Sequence, residues 1–304
     1  MYFFYAILTN LAVLISPLIF IYRILKGKED PKRFQEKIGI YSKKKIKNNI
    51  WIHAASIGEL MSVIPIINKL ENNKKIKSII VTTTTNSSAK IFSKLRFKKT
   101  FHIYFPLDNN FLTKRFINYW QPQTAIFVES EIWPNMYKNL KINKIPIIIL
   151  NARIVKKTLN RWQIFPSFAR EVFDKITLAL PSNLETLKYL KQLQVKNISV
   201  AGNLKYYGEK NIKGINDKLL RNKFKNSKIW CAASTHKNEE IFLGKLHKKL
   251  KKNNKQLITI IIPRHINRVP DIIDDMNKLG LKTITHSSNL KIKNNSDIYL
   301  VDSY

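Results

Sequence analysis

Short apolar runs alternate with amphipathic stretches from residue 50 almost to the end of the chain, and this alternation is the strongest constraint on the fold. Runs such as "NIWIHAAS" and "SIIVTTTT" have the apolar, β-branched composition of buried strands. The stretch after the first run places Leu60, Val63 and Ile67 at helical spacing. Apolar strands separated by amphipathic helices predict an α/β fold with a parallel sheet covered on both faces.

The alternation falls into two series. The first continues through "FHIYF", "TAIFVES", "PIIIL" and "ITLAL" to a last predicted strand, "ISVAG", and the polar stretch "YYGEKNIKGINDK" follows. A shorter second series contains "KIWCAAS", "QLITIIIP", "KTITH" and "DIYLVD". The pattern predicts two Rossmann-like, doubly wound domains over residues 29–215 and 216–304. The second is expected to be incomplete, because domains usually have about 100–150 residues.

The first 22 residues carry no charged side chain, and five basic residues follow them by position 33. This length approaches the roughly 20 residues that a spanning helix needs. A secretory signal peptide begins with basic residues, so the reverse order here predicts a membrane anchor over residues 1–28. The basic flank places the following domains on the cytoplasmic side. Thr9, Asn10 and Pro17 weaken a full span, so an anchor lying in one leaflet is an open alternative.

Lysine and arginine outnumber acidic residues by 54 to 20, and the formal net charge is +34. One interpretation is a compositional drift toward Lys, Asn and Ile, and the other is an anionic partner such as a phospholipid surface. No zinc-finger, RNA-recognition or basic-zipper pattern occurs, so nucleic acid is not expected as a partner. The single cysteine, Cys231, excludes an internal disulfide framework.

Polar clusters follow several predicted strands, at the sheet edge where open α/β folds bind ligands. Turns and helix caps alone would produce some of these clusters, but their recurrence at one edge of two sheets indicates binding sites. The candidate residues are Ser56, Gly58, Glu59, Glu129, Glu131, Asn151, Arg153, Lys205, Ser234, Thr235, His236, Pro263 and Arg264.

Glu59 is the leading catalytic candidate. It stands where a strand gives way to a helix, and an acid there either caps the helix and offsets its dipole or acts as a general base. Gly58 would let a bulky acceptor approach the backbone. If the strand before Glu129 continues through Glu131, we expect the two side chains to point to opposite faces, so that at most one of them faces a given ligand.

The basic and hydroxyl candidates suit an anionic ligand. Arg264, directly after an apolar strand, suits a bidentate clamp on a phosphate or carboxylate. Lys205 follows a Gly-Asn turn, although it is one lysine in a lysine-rich chain. Ser234 and Thr235 are predicted to cap a helix, with acids at first-turn spacing close to a capping box. The backbone N–H groups of that turn could also hold a phosphate.

The sequence does not indicate metal or nucleotide-loop chemistry. His53, His236 and His265 are far apart, with no i,i+4 histidine pair and no Asp-x-Asp. No Gly-rich dinucleotide loop, Walker loop or GxSxG elbow occurs. The residues therefore give little support for a metal site.

Taken together, these stretches resemble the 3-deoxy-D-manno-octulosonic acid (Kdo) transferase family. The matching segments, in family order, are "RFQEKIG" (33–39), "WIHAASIGE" (51–59), "FPLD" (105–108), "ESEIWPN" (129–135), "NARI" (151–154), "AGNLKY" (201–206), "STHKNEE" (234–240), "IIPRHINR" (261–268) and "LVDS" (300–303). They run over essentially the whole chain, and their combination is highly specific.

The resemblance implies a membrane-anchored, inverting glycosyltransferase with the two-Rossmann GT-B fold. The implied donor is CMP-Kdo, and the implied acceptor is a lipid A precursor such as lipid IVA, in lipopolysaccharide synthesis. The implied location is the cytoplasmic side of the bacterial inner membrane, whose anionic lipids would attract the basic flank of the anchor. The family resemblance implies no metal and no cofactor.

The resemblance also assigns roles to the candidate residues. Glu59 matches the family's general base, and Glu129 and Lys205 match its transition-state stabilisers. Pro263 and Arg264 match part of the CMP site. The remaining candidates are expected to complete the two sites, with Ser234, Thr235 and His236 on the donor side and Ser56, Gly58, Glu131, Asn151 and Arg153 as additional contacts.

One departure from the family concerns the end of the chain. Family members continue past "VDS" with a Gly-Glu turn, a Gly-Gly-His-Asn stretch and a Glu that hold the nucleotide. We therefore expect a truncated donor domain and impaired transfer. Two alternatives remain open: a non-catalytic membrane-anchored remnant that binds acidic lipid, and another GT-B enzyme that acts on a lipid sugar.

Overall fold

A computed structural model describes residues 1–43, 45–46, 48–204, 222, 224–225, 227–288 and 296–303. The chain divides into two units, Met1–Asn211 and Ile212–Tyr304, and each is described by itself. Both units contain a sheet in which every strand pair is parallel. The prediction of an α/β fold with two parallel sheets is therefore confirmed.

Six strands form the sheet of the first unit: β1 (Ile50–His53), β2 (Ile79–Thr83), β3 (Thr100–Tyr104), β4 (Thr124–Val128), β5 (Ile147–Ala152) and β6 (Leu178–Pro181). Their spatial order is β3-β2-β1-β4-β5-β6. In this order the chain starts at the centre and winds to one edge, then returns and winds to the other, which is the doubly wound topology. The Rossmann-like character predicted for this part of the chain is confirmed.

Helices connect these strands, after a long N-terminal helix, α1 (Tyr2–Leu25). They are α2 (Ile57–Asn72), α3 (Asn86–Ser93), α4 (Asn110–Trp120), α5 (Pro134–Ile142), α6 (Lys156–Gln163), α7 (Pro166–Phe173) and α8 (Leu184–Gln192). Ser, Thr or Asn side chains accept first-turn N–H groups at the start of α2, α3, α4 and α8. α5 and α7 begin with proline, which is favoured at the first helical position.

Two neighbouring residues of β1 show that both faces of the sheet are covered. Trp51 packs against Phe116 and Phe127 on one face, with ring centroids 4.7 and 5.2 Å apart. Ile52 belongs to a second cluster that contains Leu60 of α2. Trp51 and Ile52 are both fully buried. Because side chains alternate along a strand, this burial requires a layer of helices on each face, as the sequence predicts.

The strand predicted at "ISVAG" does not form. Ala179 of β6 exchanges two backbone hydrogen bonds with this segment, to Asn197 O and from Ser199 N, and they make a single isolated bridge. Val200 beyond it is exposed, and Gly202 turns the chain away with φ +81°. The segment has strand-like residues but too little apolar contact to extend the ladder.

The second unit contains β7 (Lys228–Thr235), β8 (Leu257–Pro263), β9 (Thr283–Thr285) and β10 (Ile298–Leu300) in the spatial order β7-β8-β10-β9. Its helices are α9 (Glu239–Asn253) and α10 (Val269–Lys278), and a short 3₁₀ turn, Ile266–Arg268, precedes α10. Ile261, Ile272, Met276 and Leu300 form its core. The last strand therefore lies inside the sheet, between β8 and β9.

The basic segment after α1 is built into the first unit. A 3₁₀ turn, Phe34–Ile38, buries both Glu36 and Lys37. Glu36 accepts the Tyr104 N–H of β3 and pairs with Arg33. Lys37 Nζ lies 2.7 Å from the buried carboxylate of Glu29. The "RFQEKIG" stretch is therefore bound to the first unit through hydrogen bonds and ion pairs.

We expect Lys37→Met to lower the free energy of unfolding by about 3 kcal/mol, because it removes one partner of the buried Glu29 carboxylate and keeps the apolar stem. Urea titration followed by circular dichroism measures the loss. The exposed Lys69→Met is the matched control and should change stability by no more than about 0.5 kcal/mol. Equal losses in the two variants would contradict the structural role of the buried pair.

Candidate active site

The carboxyl ends of β1, β4 and β5 lie side by side, because β4 pairs with both of the other strands. These strand ends and the segments directly after them carry every site candidate of the first unit that the structure describes. They are Ser56, Gly58, Glu59, Glu129, Glu131, Asn151 and Arg153. Lys205 lies outside the described residues, so its predicted role stays a prediction.

Glu59 occupies the first turn of α2, and its carboxylate folds back over the start of the helix. One oxygen accepts the Ala55 N–H at 2.7 Å, and the other accepts the Ser56 hydroxyl at 2.9 Å. Ser56 in turn accepts the Glu59 N–H. This reciprocal arrangement is a capping box. Glu59 is therefore a helix cap, and its carboxylate is at the same time fixed at the ligand-binding edge of the sheet.

The surroundings of Glu59 favour its protonated form. Burial raises the pKa of Glu59, and the negative charges of Glu131 and Glu129 raise it further. The hydrogen bonds from Ser56 and Ala55 act in the opposite direction but do not cancel the rise. A half-buried carboxylate with a raised pKa takes up a proton more readily than an exposed one, which is the property required of a general base.

The expectation that a continuing strand separates Glu129 from Glu131 is wrong. β4 ends at Val128, and Glu129 adopts a left-handed backbone with φ +59°. The strand thus ends before this pair, and even in a continuing strand residues 129 and 131 would share a face, because side chains two positions apart do so. Both carboxylates act on the pKa of Glu59, and three acids therefore share one sheet edge.

Glu131 is held by side chains rather than left free in the loop. Its Oε2 lies 3.2 Å from His53 Nε2 and accepts the indole N–H of Trp133 at 2.9 Å. A carboxylate only accepts hydrogen bonds, so His53 Nε2 is the donor in this contact, and Nδ1 lies 2.9 Å from Thr82 Oγ1 and 3.2 Å from Thr82 O. These contacts fix the charge that acts on Glu59.

The β4 and β5 loops are tied together at the same edge. The Ser130 hydroxyl donates to Arg153 O, and Arg153 N donates to Glu129 O. Asn151, buried and with φ +55°, accepts the Leu204 N–H through its side chain. Asn151 therefore ties Leu204 to the carboxyl end of β5.

Ser56 and Gly58 provide an open approach to this edge. Both are exposed at the start of α2. No atom lies within 4 Å of the position where a Cβ on Gly58 would stand. A bulky ligand can therefore come close to the backbone beside Glu59, as the sequence predicts for Gly58.

In the second unit, the expectation that Ser234 and Thr235 cap a helix is wrong. α9 begins only at Glu239, and its N-cap residue is Asn238, which makes no side-chain capping bond. Ser234 has φ +63°, and Thr235 Oγ1 donates to Glu240 at 2.8 Å. The left-handed backbone at Ser234 turns the chain away from the helical path, so the cap falls four residues later.

Arg268 is a residue that the sequence analysis did not single out. Both of its terminal nitrogens bind the carboxylate of Glu240, at 3.0 and 2.9 Å, and Glu240 is buried. It lay within the quoted "IIPRHINR" stretch, but nothing in the sequence pairs it with an acid 28 residues earlier. The pair joins the first turn of α9 to the 3₁₀ turn after β8.

The remaining donor-side candidates lie beside this pair at the carboxyl ends of β7 and β8. Pro263 is buried at the end of β8, and the exposed Arg264 donates its N–H to Thr235 O at 3.0 Å. His236 is exposed, and its N–H donates to Glu239 Oε2 at 2.7 Å. Within the described ranges, no group of three or more His, Cys, Asp or Glu side chains is placed to hold a metal ion.

Sequence comparisons identify related proteins. A family model described as 3-deoxy-D-manno-octulosonic-acid transferase (kdotransferase) matches residues 32–207. A 3-deoxy-D-manno-octulosonic acid transferase from Rickettsia bellii is 32% identical over 97% of this chain and 71% of its own length. One from Haemophilus influenzae is 31% identical over 99% of this chain and 72% of its own length.

Solved structures share the fold at low sequence identity. The Staphylococcus aureus MnaA–UDP structure aligns with a TM-score of 0.54 and 15% identity, over 84% of this chain and 69% of that one. A Neisseria meningitidis UDP-GlcNAc 2-epimerase bound to UDP-GlcNAc aligns with a TM-score of 0.53 and 15% identity, over 84% and 72%. Together with the two parallel sheets, these matches support a GT-B-type fold and, at this identity, say nothing about substrate.

We expect Glu131→Gln to lower the pKa of Glu59, because the amide removes a negative charge and can still accept the Trp133 N–H. A carbon-13 NMR titration of the glutamate carboxyls measures the change. The substitution of the exposed Glu171, Glu171→Gln, serves as the control and should leave the pKa of Glu59 unchanged. An unchanged pKa in Glu131→Gln would show that the two carboxylates are not coupled.

We expect Arg268→Ala to destabilise the second unit by about 3 kcal/mol, because it leaves the Glu240 carboxylate buried with fewer partners. Burial acts to raise the pKa of Glu240, but the hydrogen bonds from Arg268, the backbone and Thr235 outweigh it and hold the pKa below its ordinary value.

Because this pKa is lowered in the folded state, the stability from the pair is present at neutral pH and is lost as the pH falls through the lowered pKa. The destabilisation by Arg268→Ala should therefore shrink in acid when urea titrations are repeated between pH 7 and pH 3. The exposed Arg264→Ala is the matched control. A destabilisation that stays constant over this range would argue against the charged pair.

Proposed function

Because the chain belongs to the Kdo transferase family and is thus a glycosyltransferase, we propose that it transfers Kdo from CMP-Kdo to a lipid A precursor. The acceptor we propose is the sugar headgroup of lipid IVA, and the transfer is an inverting step of lipopolysaccharide synthesis. The observation that carries the proposal is the Glu59 carboxylate, which is fixed at the ligand edge of the first sheet with a raised pKa.

In the proposed reaction, an acceptor hydroxyl approaches over Gly58 and gives its proton to Glu59. The freed oxygen bonds to the anomeric carbon of Kdo while the bond from that carbon to the CMP phosphate breaks. CMP leaves with the bonding electrons. Attack from the face opposite the leaving group inverts the anomeric centre, and a single base is sufficient for this displacement.

We propose further roles for the other candidates of the first unit. We propose that Glu129 stabilises the transition state together with Lys205, and that Lys205 supplies positive charge near the reacting centre. Ser56, Asn151 and Arg153 are proposed acceptor contacts. Glu131 is proposed to set the pKa of Glu59 through its charge, since its own oxygens are engaged by His53 and Trp133.

For the second unit we propose a donor site at the carboxyl ends of β7 and β8. The exposed guanidinium of Arg264 suits the CMP phosphate, and Pro263 is proposed to shape the pocket next to it. Ser234, Thr235 and His236 are the proposed neighbours on the β7 loop. The Glu240–Arg268 ion pair stabilises the β7 loop. Because Arg268 binds Glu240, Arg264 is the arginine that is available to the ligand.

We also propose that α1 attaches the protein to the bacterial inner membrane, with both units on the cytoplasmic side. In the described part of the chain, α1 alone is long and apolar enough to cross a membrane. The basic residues that follow it favour a surface of anionic lipid. Attachment would bring the site close to a lipid acceptor.

We expect Glu59→Gln to reduce kcat for transfer from CMP-Kdo to lipid IVA by about 10²- to 10⁴-fold, because the amide cannot accept the proton. The amide oxygen can still accept the Ala55 N–H, so helix capping and folding are retained. The assay follows labelled Kdo into the lipid fraction, with the exposed Glu171→Gln as control.

Two outcomes would contradict the proposal. Glu59→Gln activity within about tenfold of the parent chain would remove Glu59 from the role of base. A parent chain that binds acidic lipid but transfers no Kdo would favour a non-catalytic lipid-binding protein.

A further inference from the structure

One face of α1 is polar and binds the first unit. The Tyr5 hydroxyl donates to Asp108 Oδ2 at 2.7 Å, and Asn10 Oδ1 accepts from Asn109 at 2.6 Å. Thr9 Oγ1 lies 3.3 Å from the side-chain nitrogen of Asn135. These three contacts belong to one side of the helix, since residues 5 and 9 are a helical turn apart and residue 10 adjoins them.

The residues that receive α1 are themselves firmly placed. Asp108 is buried and accepts the N–H groups of Asn135 and Met136 in the first turn of α5. Asn109 is the side-chain cap of α4. We call Asp108, Asn109 and Asn135 the helix socket. The "FPLD" and "ESEIWPN" stretches therefore supply residues that hold α1, a role that the transfer reaction does not require.

The other end of α1 is also fixed. Phe20 packs against Phe34 with ring centroids 5.6 Å apart. Arg23 Nε donates to Glu29 at 3.0 Å, and Glu29 is the buried partner of Lys37. Contacts thus run from Tyr2, whose hydroxyl donates to the Pro134 carbonyl oxygen, to Arg23. They hold about 30 Å of helix against the surface of the first unit.

A helix held along its length cannot cross a bilayer independently. A spanning orientation needs about 30 Å of hydrocarbon around α1, and the adjacent surface of the first unit would enter with it. That surface carries the cationic side chains of Lys138 and Lys175, whose Nζ atoms lie 5.5 and 5.1 Å from the Tyr2 ring centroid, and many polar backbone groups, all of which are costly to place in hydrocarbon. The contacts therefore favour a helix that lies in the plane of the membrane.

The opposite face of α1 is apolar and exposed. Its exposed large side chains are Phe3, Phe4, Ile7, Leu8, Leu11, Leu14, Ile15, Leu18, Ile19, Ile21, Tyr22 and Leu25. No acidic side chain occurs in the helix, and Arg23 and Lys26 lie at its end. An apolar stripe of this length opposite a polar, docked face is typical of a helix buried in one leaflet.

A second apolar patch adjoins the start of α1. Ile164 and Phe165 are exposed in the turn between α6 and α7. Phe168, three residues further on, contacts the ring of Tyr2 at 5.0 Å. The sequence from residue 132 to residue 170 contains no acid, and Arg161 and Arg170 on either side of the patch are exposed. The patch thus combines apolar side chains with positive charge, which suits an anionic lipid surface.

We propose that the outer face of α1 and the Ile164–Phe165 patch form one membrane-binding surface that inserts into a single leaflet of an anionic bilayer. The helix socket fixes α1 in the membrane plane, so the first unit rests on the membrane in one orientation. The proposal concerns attachment alone and holds whether or not Glu59 acts as a base.

Label depth tests the orientation of the helix. Phe4→Cys, Leu11→Cys and Leu18→Cys are made singly in a Cys231→Ser background, because the three positions are seven residues apart on the exposed face. Each cysteine carries an environment-sensitive fluorophore in vesicles of phosphatidylcholine and phosphatidylglycerol. Lipids with quenchers at known depths then report the depth of each label.

We expect all three labels to lie at one shallow depth. A label at Leu11 near the bilayer centre, with those at Phe4 and Leu18 near opposite surfaces, would overturn the proposal and show a spanning helix. Labels that no lipid quencher reaches would also overturn it, because the apolar face would then be covered by protein, for example by a second copy of the chain.

Vesicle binding tests the second patch, with a closely matched control. Ile164→Ser should weaken binding to anionic vesicles by about tenfold, since it withdraws a large apolar side chain from the membrane. Ile142 at the end of α5 is equally exposed, 65% against 66% for Ile164, but lies outside the proposed surface. Ile142→Ser should bind like the parent chain.

Equal binding of Ile142→Ser and Ile164→Ser would overturn the part of the proposal that concerns the patch. Neither measurement uses donor or acceptor, so failure of the membrane-binding surface leaves the proposed transfer reaction standing. Conversely, loss of transfer in Glu59→Gln with unchanged label depths would leave the membrane surface intact.

Discussion

The parallel pairing of β4 with β1 on one side and β5 on the other decides where the reactive groups of the first unit lie. Parallel strands end at the same edge, so the loops that follow them must share that edge. Glu59, Glu129 and Glu131 come from two of these loops, and their charges are close enough for the two later carboxylates to raise the pKa of Glu59. The loops after β4 and β5, which are hydrogen-bonded to each other, lie at the same edge as these acids. The exposed backbone at Gly58 lies there too.

Glu59 combines the cap geometry and the raised pKa that we propose for a base, two roles that the sequence presents as alternatives. Its hydrogen bonds from Ala55 N–H and the Ser56 hydroxyl complete a capping box, and they also fix the carboxylate in one rotamer. A cap at an exposed helix start would ordinarily have a lowered pKa, because hydrogen bonds favour the ionised form. Here burial and the neighbouring acids outweigh those bonds, and the same residue becomes a better proton acceptor. The structural role and the proposed chemical role thus belong to a single side chain.

Local patterns predicted the fold well because burial on both faces of a sheet leaves continuous apolar runs, as at Trp51 and Ile52. The same patterns failed where backbone conformation or long-range pairing decides. A left-handed backbone at Glu129 follows the end of β4, and a left-handed backbone at Ser234 displaces a predicted helix cap. The Glu240–Arg268 pair and the contacts of Asp108 with α1 join residues 28 and about 100 positions apart, and no local spacing reveals such pairs.

The central claim is that Glu59, poised by its neighbours, removes the acceptor proton. The pH dependence of kcat/KM for Kdo transfer tests it most directly, because the acidic limb reports the ionisation of the free enzyme's base. We expect activity to fall in acid with an apparent pKa above the ordinary glutamate value and equal to that of Glu59 measured by NMR. An acidic limb of the pH profile at a different pKa would show that another group accepts the proton. The same limb in the residual activity of a variant that lacks the Glu59 carboxylate would also show this.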